Sequence, residues 1–378
     1  MSLPKPDAEH DAVMAGPVRI AGAGPAGLAA AIVLARAGRR VEVHEQRDRV
    51  GARWKRGLQI LENFSEKEDI LDFMKRSGIE ASFWRSPIHE ITLWAGRGKK
   101  HHFHSDVPLG YFVRRGAQPG ELDRGLLDAA VAAGAEVRFG SRLGTGEARV
   151  RATGPRRVNG IGKEVTFKTP LSDRMTVILD PELAPGGYAY LFIVDGEATM
   201  GMAILSGYAQ VDELYQRTAA RFREIEGVDP SGGEEAVLVA NYFLKDGLTG
   251  PGGVIWAGEA GGFQDYLFGF GMRYAITSGV LAARSISEDL EYNTLWKQTL
   301  LGKQKVSLWN RFLYEKGGPW VPGLLIGMAR RSGNLRDFLQ KFYAPAGWRL
   351  LLADAIAGSW KSRKLILNPK DFNGDGNI

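Results

Sequence analysis

One stretch constrains this chain more than any other: Val18-Arg19-Ile20-Ala21-Gly22-Ala23-Gly24-Pro25-Ala26-Gly27. A short apolar strand enters a glycine turn, and an alanine-rich helix leaves it over 28–37. A second strand, Arg40 to Glu45, follows at once and ends on an acid. This is the strand, turn, helix and strand order of a dinucleotide-binding unit. Gly22 permits the tight turn, Gly24 lets the backbone approach a pyrophosphate, and Gly27 lets the helix pack close to the strand. The unpaired N–H groups at the helix start then face phosphates, where the helix dipole favours negative charge. Glu45 stands where the acid of such units accepts hydrogen bonds from a ribose hydroxyl. The alternative is a glycine turn with a purely structural role.

The chain's 378 residues suggest about two domains. It has no cysteine, which excludes disulfides, thiolate metal sites, iron–sulfur ligation and a cysteine nucleophile. A reducing cytoplasm is compatible with that, and the cytoplasm is the expected location. The net charge of +6 reads as a solvated basic surface or as a patch for acidic partners. No nucleic-acid motif accompanies it, so no nucleic-acid partner is expected. Residues 1–16 are polar and read as a disordered tail rather than a secretory signal. No uninterrupted run of about 18 apolar residues occurs, so no transmembrane helix is expected.

Along the chain, a basic glycine loop, Arg47 to Arg53, leads into the segment Gly57 to Phe64 and then a helix over 67–77. Ile88 to Trp94 alternates like a strand, and the turn Gly96 to Gly98 makes a hairpin with His101 to His104. Tyr111 to Gly116 reads as a strand, Glu121 to Gly134 as a helix, and Ala135 to Phe139 as a strand. Leu122, Leu126, Leu127, Ala130 and Val131 fall on the helix's apolar side. That spacing extends the parallel sheet begun at Val18. From about Arg156 to Asn241 the pattern turns antiparallel, with strands at 165–169, 175–179, 188–194 and 199–205 and one helix, Val211 to Glu226. An apolar strand of the first type returns at Gly253. Beyond Asp289 the sequence is helical, basic and rich in tryptophan.

The second informative block is Trp256-Ala257-Gly258-Glu259, continuing through Gln264-Asp265 to Gly269-Phe270-Gly271-Met272. A strand again meets small residues and an acid, and a glycine cluster then opens a long apolar helix, Arg273 to Ile286. Such a helix start can direct N–H groups at a ring that must carry negative charge, as a reduced flavin does near N1 and O2. The alternative is a glycine hinge before a buried helix.

On these motifs the chain resembles the FAD-dependent oxidoreductases that include the aromatic hydroxylases and the geranylgeranyl reductase family, over most of 17–290. The resemblance implies an α/β fold with an α+β second domain. A Rossmann-like, discontinuous FAD-binding domain with a parallel sheet would comprise 17–80, 105–155 and 250–290. An antiparallel substrate domain would comprise 81–104 and 156–249, with a C-terminal helical region over 291–378. FAD is the implied cofactor. Its expected ligands are Gly22, Gly24, Pro25, Ala26, Gly27, Glu45, Gln46, Arg53, Arg115, Gly258, Glu259, Gly269, Gly271 and Met272. Arg114 is the alternative to Arg115, and Glu259 replaces the usual aspartate. Pro185-Gly186-Gly187-Tyr188-Ala189-Tyr190-Leu191-Phe192 is similar to the Pro-x-x-Tyr-x-Trp-x-Phe-Pro motif of geranylgeranyl reductases, which lines their isoprenoid site. Tyr190 stands for the tryptophan and Ile193 for the final proline. The alternative is an ordinary core strand.

Tyr188, Tyr190 and Phe192 alternate onto one strand face, which suits a hydrophobic substrate. On the resemblance Gln264 and Asp265 would lie near the flavin, where either would orient substrate or relay a proton; the alternative for Asp265 is to cap a local turn. The His101 to His104 cluster lacks accompanying acids, and no metal is expected. Ala152-Thr153-Gly154-Pro155 lacks the acid that aromatic hydroxylases carry there, which weighs against direct use of NADPH. The implied activity is reduction of a carbon–carbon double bond in an isoprenoid or lipid-like substrate, with hydride exchanged at flavin N5. The electron donor would be NAD(P)H or a redox protein. A flavin monooxygenase using NAD(P)H and oxygen is the alternative enzyme. The basic, Trp-rich segment 296–364 reads as a peripheral membrane contact or as a helical cap burying its tryptophans.

Overall fold

The computed structural model describes residues 16–361, apart from 55, 56, 99, 145, 156, 157 and 242 and the side chains of 358–361. The expected tail over 1–16 therefore lies almost wholly outside the described residues. The first unit is β1 (Val18–Ala21), α1 (Pro25–Arg36) and β2 (Val41–His44). Next come β3 (Leu58–Glu62), α2 (Ile70–Arg76), β4 (Arg85–Ile88), β5 (Glu90–Ala95) and β6 (Lys100–His104). β7 (Gly110–Arg114), α3 (Leu122–Ala132), β8 (Glu136–Arg138) and β9 (Val150–Arg151) follow. The middle of the chain forms β10 (Gly160–Lys168), β11 (Arg174–Leu179), β12 (Tyr188–Val194), β13 (Glu197–Ile204), α4 (Val211–Glu226) and β14 (Glu234–Ala240). After β15 (Ile255–Trp256) the chain is helical: α5 (Met272–Ser287), α6 (Tyr292–Trp296), α7 (Gly302–Lys316), α8 (Val321–Arg331), α9 (Leu335–Tyr343) and α10 (Gly347–Lys361).

The strands β15, β9, β1, β2 and β8 form one sheet in that order, with every neighbouring pair parallel. Pro25 occupies the first helical turn of α1, where its missing N–H costs nothing. Alanines at 26 and 29–31 keep α1 thin enough for α5 to pack directly upon it. Gly279 of α5 marks that contact, because a Cβ there would sit 2.2 Å from the Ala26 carbonyl oxygen. The fold class is thus the expected one, α/β with a Rossmann-like parallel sheet.

Three local expectations are corrected. β7 does not extend the parallel sheet; it is the centre of a small antiparallel sheet, β3-β7-β4. β8 does extend that sheet, pairing with β2, but strand–helix–strand spacing cannot say which sheet the strand before the helix joins. Ile88 to Trp94 is not one strand. It breaks at His89, whose ring Nδ1 contacts the Ser105 carbonyl at 2.8 Å, so that β4 pairs with β7 while β5 pairs with β6 and β11. On α3, Val131 is exposed, and the buried stripe is Leu122, Gly125, Leu126 and Ala130.

The seven-stranded sheet runs β14-β10-β13-β12-β11-β5-β6, and β14 is a strand that sequence periodicity did not reveal. Its two opening glutamates, Glu234 and Glu235, hide the apolar run behind them. One face of this sheet presents Ala189, Leu191, Ile193, Met200 and Met202 to Leu214 and Phe222 of α4. α4 occupies the span expected from sequence. The opposite face carries Tyr188, Tyr190 and Phe192. In the helical region Trp296 is buried, its Nε1 donating to Gln304 Oε1 at 2.7 Å. Trp320 and Trp348 are 64% and 57% exposed; the Trp360 side chain lies outside the described residues. No described helix is long and apolar enough to cross a membrane.

Candidate functional site

A cavity of about 750 Å³ lies between the first turn of α1, the loop preceding α5 and the tyrosine face of the seven-stranded sheet. At α1, Gly22 has φ +102°, and a Cβ there would lie 2.3 Å from the Ala152 carbonyl oxygen. A Cβ on Gly27 would lie 1.9 Å from the Gly22 carbonyl oxygen. These two glycines therefore close the turn and do not themselves line the cavity. Gly24, Pro25 and Ala26 do line it, and a Cβ on Gly24 would meet nothing within 4 Å. The helix start is open, as an approaching phosphate requires. Glu45 is held at its mouth: Ala23 N–H donates to Oε2 at 2.9 Å and Arg47 N–H to Oε1 at 3.0 Å. Gln46 lies beside it on the cavity wall.

The loop that leads to the second helix start packs against the first. A Cβ on Gly258 would come 2.8 Å from Ala26 Cβ, and the Gly258 N–H donates to Ser278 Oγ at 2.9 Å. Glu259, Gly269, Gly271 and Met272 line the same cavity as Gly24 to Ala26. Burial pushes the Glu259 carboxyl up, opposed by the positive charges of Arg53 and Arg115 and by the Asn241 N–H. Arg53 reaches Glu259 at 3.4 Å. Gln264 also lines the cavity; its Nε2 donates to the Gly269 carbonyl at 2.9 Å, while its buried Oε1 has no partner among the described residues. A donor on a bound ring would satisfy that oxygen.

Arg115, not Arg114, faces the cavity. It donates twice to Asp123, at 2.7 Å each, and its guanidinium stands 4.4 Å from the Trp54 ring centre, with Arg53 4.7 Å from the same ring. Arg114 instead pairs with Glu197 at 3.0 Å and packs over Trp84. Trp54, Gln59 and Asp123 complete this wall, and none was singled out from sequence.

Asp265 does not line the cavity. It is buried, with Oδ2 accepting from the Phe268 N–H at 2.6 Å and Oδ1 from the Leu267 N–H and Ser307 Oγ. Burial raises its pKa, while Ser307 and the two amides restrain the rise. It caps the turn that carries Phe268 to Phe270; of its two expected roles the structural one fits this placement.

Tyr188, Tyr190 and Phe192 all line the cavity. Tyr190 stacks on Phe192 with ring centres 4.8 Å apart, and Tyr188 donates to the Phe268 carbonyl at 2.8 Å. Tyr190 donates to Glu164 Oε2 at 2.6 Å, and Gln59 Nε2 approaches both oxygens of that acid at 3.2 and 3.4 Å. Glu164 is 2% exposed. Burial pushes its carboxyl up to about 7, against the lowering by Tyr190 and Gln59. Sequence reading missed Glu164, because nothing local shows that its strand lies two places from Tyr190. Among the described residues no group of three or more His, Asp or Glu is placed to hold a metal ion.

The chemistry of these walls suits an adenine dinucleotide: an open helix start, an acid at its mouth, arginines and a second glycine-opened helix. A family model for an NAD(P)-binding Rossmann-like domain matches residues 20–76. No curated protein matches the sequence. Among solved structures, a geranylgeranyl bacteriochlorophyll reductase-like protein from Thermoplasma acidophilum is similar with a TM-score of 0.69 at 18% identity, covering 92% of this chain and 96% of its own. The flavin-dependent brominase Bmp2 is similar with a TM-score of 0.60 at 14% identity, covering 92% and 99%. The myxobacterial chondrochloren halogenase CndH, an FAD-dependent halogenase, gives 0.58 at 16% identity, covering 90% and 96%. The fold of this chain is the one these flavoproteins share.

Proposed function

We propose that this chain is an FAD-dependent oxidoreductase, and that its reaction is reduction of a carbon–carbon double bond in an isoprenoid or similarly hydrophobic substrate. The observation that carries the FAD reading is one cavity shared by two glycine-opened helix starts far apart in sequence, Gly24 to Ala26 of α1 and Gly269 to Met272 of α5, with Gly258 packed against Ala26 between them. Gly24 to Ala26 with Glu45 and Gln46 would hold the adenosine and pyrophosphate side. Arg53, Arg115, Glu259 and the 269–272 turn would hold the flavin side. When bound, FAD supplies two-electron hydride chemistry. The protein's own part is to bind and orient the alkene on the Tyr188, Tyr190 and Phe192 face and to manage the accompanying proton. The similarity to a geranylgeranyl reductase-like structure supports the substrate class.

The test is to load the protein with FAD, reduce it anaerobically and add geranylgeraniol. Reoxidation of the flavin with a product heavier by one H₂ is expected; a reduced spectrum that persists would remove the alkene reading. The monooxygenase alternative fares worse because Ala152 to Pro155, which line the cavity, bring no acid to it. NAD(P)H-dependent oxygen uptake with a hydroxylated product would reverse that ranking. The electron donor is proposed to be NAD(P)H or a redox protein. A peripheral contact with an anionic membrane is also proposed. Trp320, Leu324 and Met328, spaced by four along one helix face, are exposed beside Lys316, Arg330 and Arg331. Flotation with anionic but not neutral liposomes is the expected result.

A further inference from the structure

Strand register sets Tyr190, Gly201 and Glu164 in one row across β12, β13 and β10. Gly201 is what makes the row work. A Cβ there would lie 2.8 Å from Tyr190 Oη and 2.7 Å from Glu164 Cβ, so only glycine lets the phenol cross the middle strand to reach the acid. Tyr188 has its hydroxyl committed to the Phe268 carbonyl. Tyr190, in contrast, is bonded to a group that can itself carry a proton, and its ring lines the cavity. No cation pairs with Glu164 among the described residues: its strand neighbour Lys163 pairs with Asp212 and Glu235. The other groups facing the pair are Tyr188 on the same strand as Tyr190, Tyr215 on α4 and the neutral Gln59 amide from β3.

The direction of the Tyr190–Glu164 bond depends on the acid. An ionised carboxylate can only accept, and it takes the phenol's proton as its hydrogen bond. A protonated carboxyl donates to Tyr190 Oη and frees the phenol's own O–H to turn to the cavity. Burial holds Glu164 near the point where both forms are present at neutral pH.

We propose that Tyr190 and Glu164 form the proton-delivering pair of this cavity, Tyr190 Oη protonating the substrate carbon adjacent to the one that takes hydride and Glu164 restoring the phenol. The proposal rests on the alkene-reduction reading. Its balance is simple. The alkene π pair becomes the new C–H bond to the Tyr190 proton, and the hydride pair from the reduced flavin forms the other C–H bond. The phenol O–H is broken and remade with the Glu164 proton, and solvent reprotonates Glu164. Tyr190 is the catalytic residue of the pair and Glu164 the positioning and proton-storing one.

Infrared difference spectra of the FAD-loaded protein, recorded across a pH series, test the pair without substrate. A protonated-carboxyl band that titrates near neutrality is expected, absent in Glu164→Gln and shifted in Tyr190→Phe. Single turnovers with geranylgeraniol should slow above neutral pH. They should fall by about a hundred-fold in Tyr190→Phe and lose their pH dependence in Glu164→Gln. Tyr190→Phe fills the same space and carries the test alone if the other variant does not fold. A band that Tyr190→Phe leaves unmoved, or wild-type turnover in Tyr190→Phe, overturns the proposal while leaving alkene reduction standing. The expected band in a protein that reduces no alkene removes the functional reading, and with it the pair's role toward carbon.

Discussion

Glu164→Gln makes a prediction about folding that needs no cofactor or substrate. The folded protein raises this carboxyl from 4.5 to about 7, chiefly through burial. At roughly 1.4 kcal/mol per pKa unit, the shift corresponds to about 3 kcal/mol of differential stability. The folded state binds the proton more tightly than the unfolded chain does. Stability from this group is therefore full below the unfolded pKa and is lost as pH rises through about 7. Between about pH 5.5 and about pH 8.5 the wild type should lose about 2 kcal/mol through Glu164 alone. Glutamine keeps an oxygen for the Tyr190 hydroxyl but cannot ionise, so the stability of the variant relative to wild type should rise by that amount across the range. Urea unfolding of both proteins, followed by the same fluorescence signal at each pH, measures the difference. Tyr190→Phe removes a donor that lowers the acid's pKa, so its loss of stability should shift to higher pH. Identical pH slopes for wild type and Glu164→Gln would show that the acid is not neutralised on folding, and would refute the reasoning.

Other expectations follow from packing and charge. Gly279→Ala must push α5 off α1, because its Cβ would meet the Ala26 carbonyl at 2.2 Å; a stability loss of about 1–3 kcal/mol in thermal unfolding, together with weaker FAD uptake, is expected. Arg115→Ala strands the buried Asp123 carboxylate and should cost about 3–5 kcal/mol. Arg114→Ala, which breaks a more exposed pair, should cost about 1 kcal/mol or less, by the same unfolding assay. Asp265→Ala removes the acceptor for two turn amides and Ser307, and should cost about 1–3 kcal/mol while loosening the 265–271 turn, read out as faster proteolysis there.

Much of the architecture was legible because it is written in local patterns. The Gly22 to Gly27 turn, the alanines of α1 and the acid at Glu45 sit within one supersecondary unit. α4 shows its apolar side at helical spacing and is read at its full length. What sequence could not supply was partnership between distant strands. β7 has the same apolar run as a parallel strand, and only its neighbours β3 and β4 decide its sheet. Glu164 looks like one polar residue in an alternating strand; its meaning comes from register with Gly201 and Tyr190. Asp265 shows the reverse case, a conspicuous acid in a glycine-rich block whose oxygens are spent on its own turn and on Ser307. The choice between Arg114 and Arg115 likewise needed the fold, since β7 ends at Arg114 and it is the residue just past the strand that reaches the cavity.

FAD titration of the purified protein and of two glycine variants tests the central claim most directly. Gly24 and Gly271 have negative φ and room for a side chain, with no atom within 4 Å of a Cβ on Gly24 and the nearest 3.7 Å away at Gly271. Gly24→Val and Gly271→Val should therefore fold with unchanged cofactor-free melting temperatures. The wild type should take up one FAD per chain with the visible spectrum of bound oxidised flavin, and each variant should lose that binding by filling one end of the shared cavity. A wild type that stays colourless with FAD in excess, or either variant binding as tightly as wild type, would contradict the account.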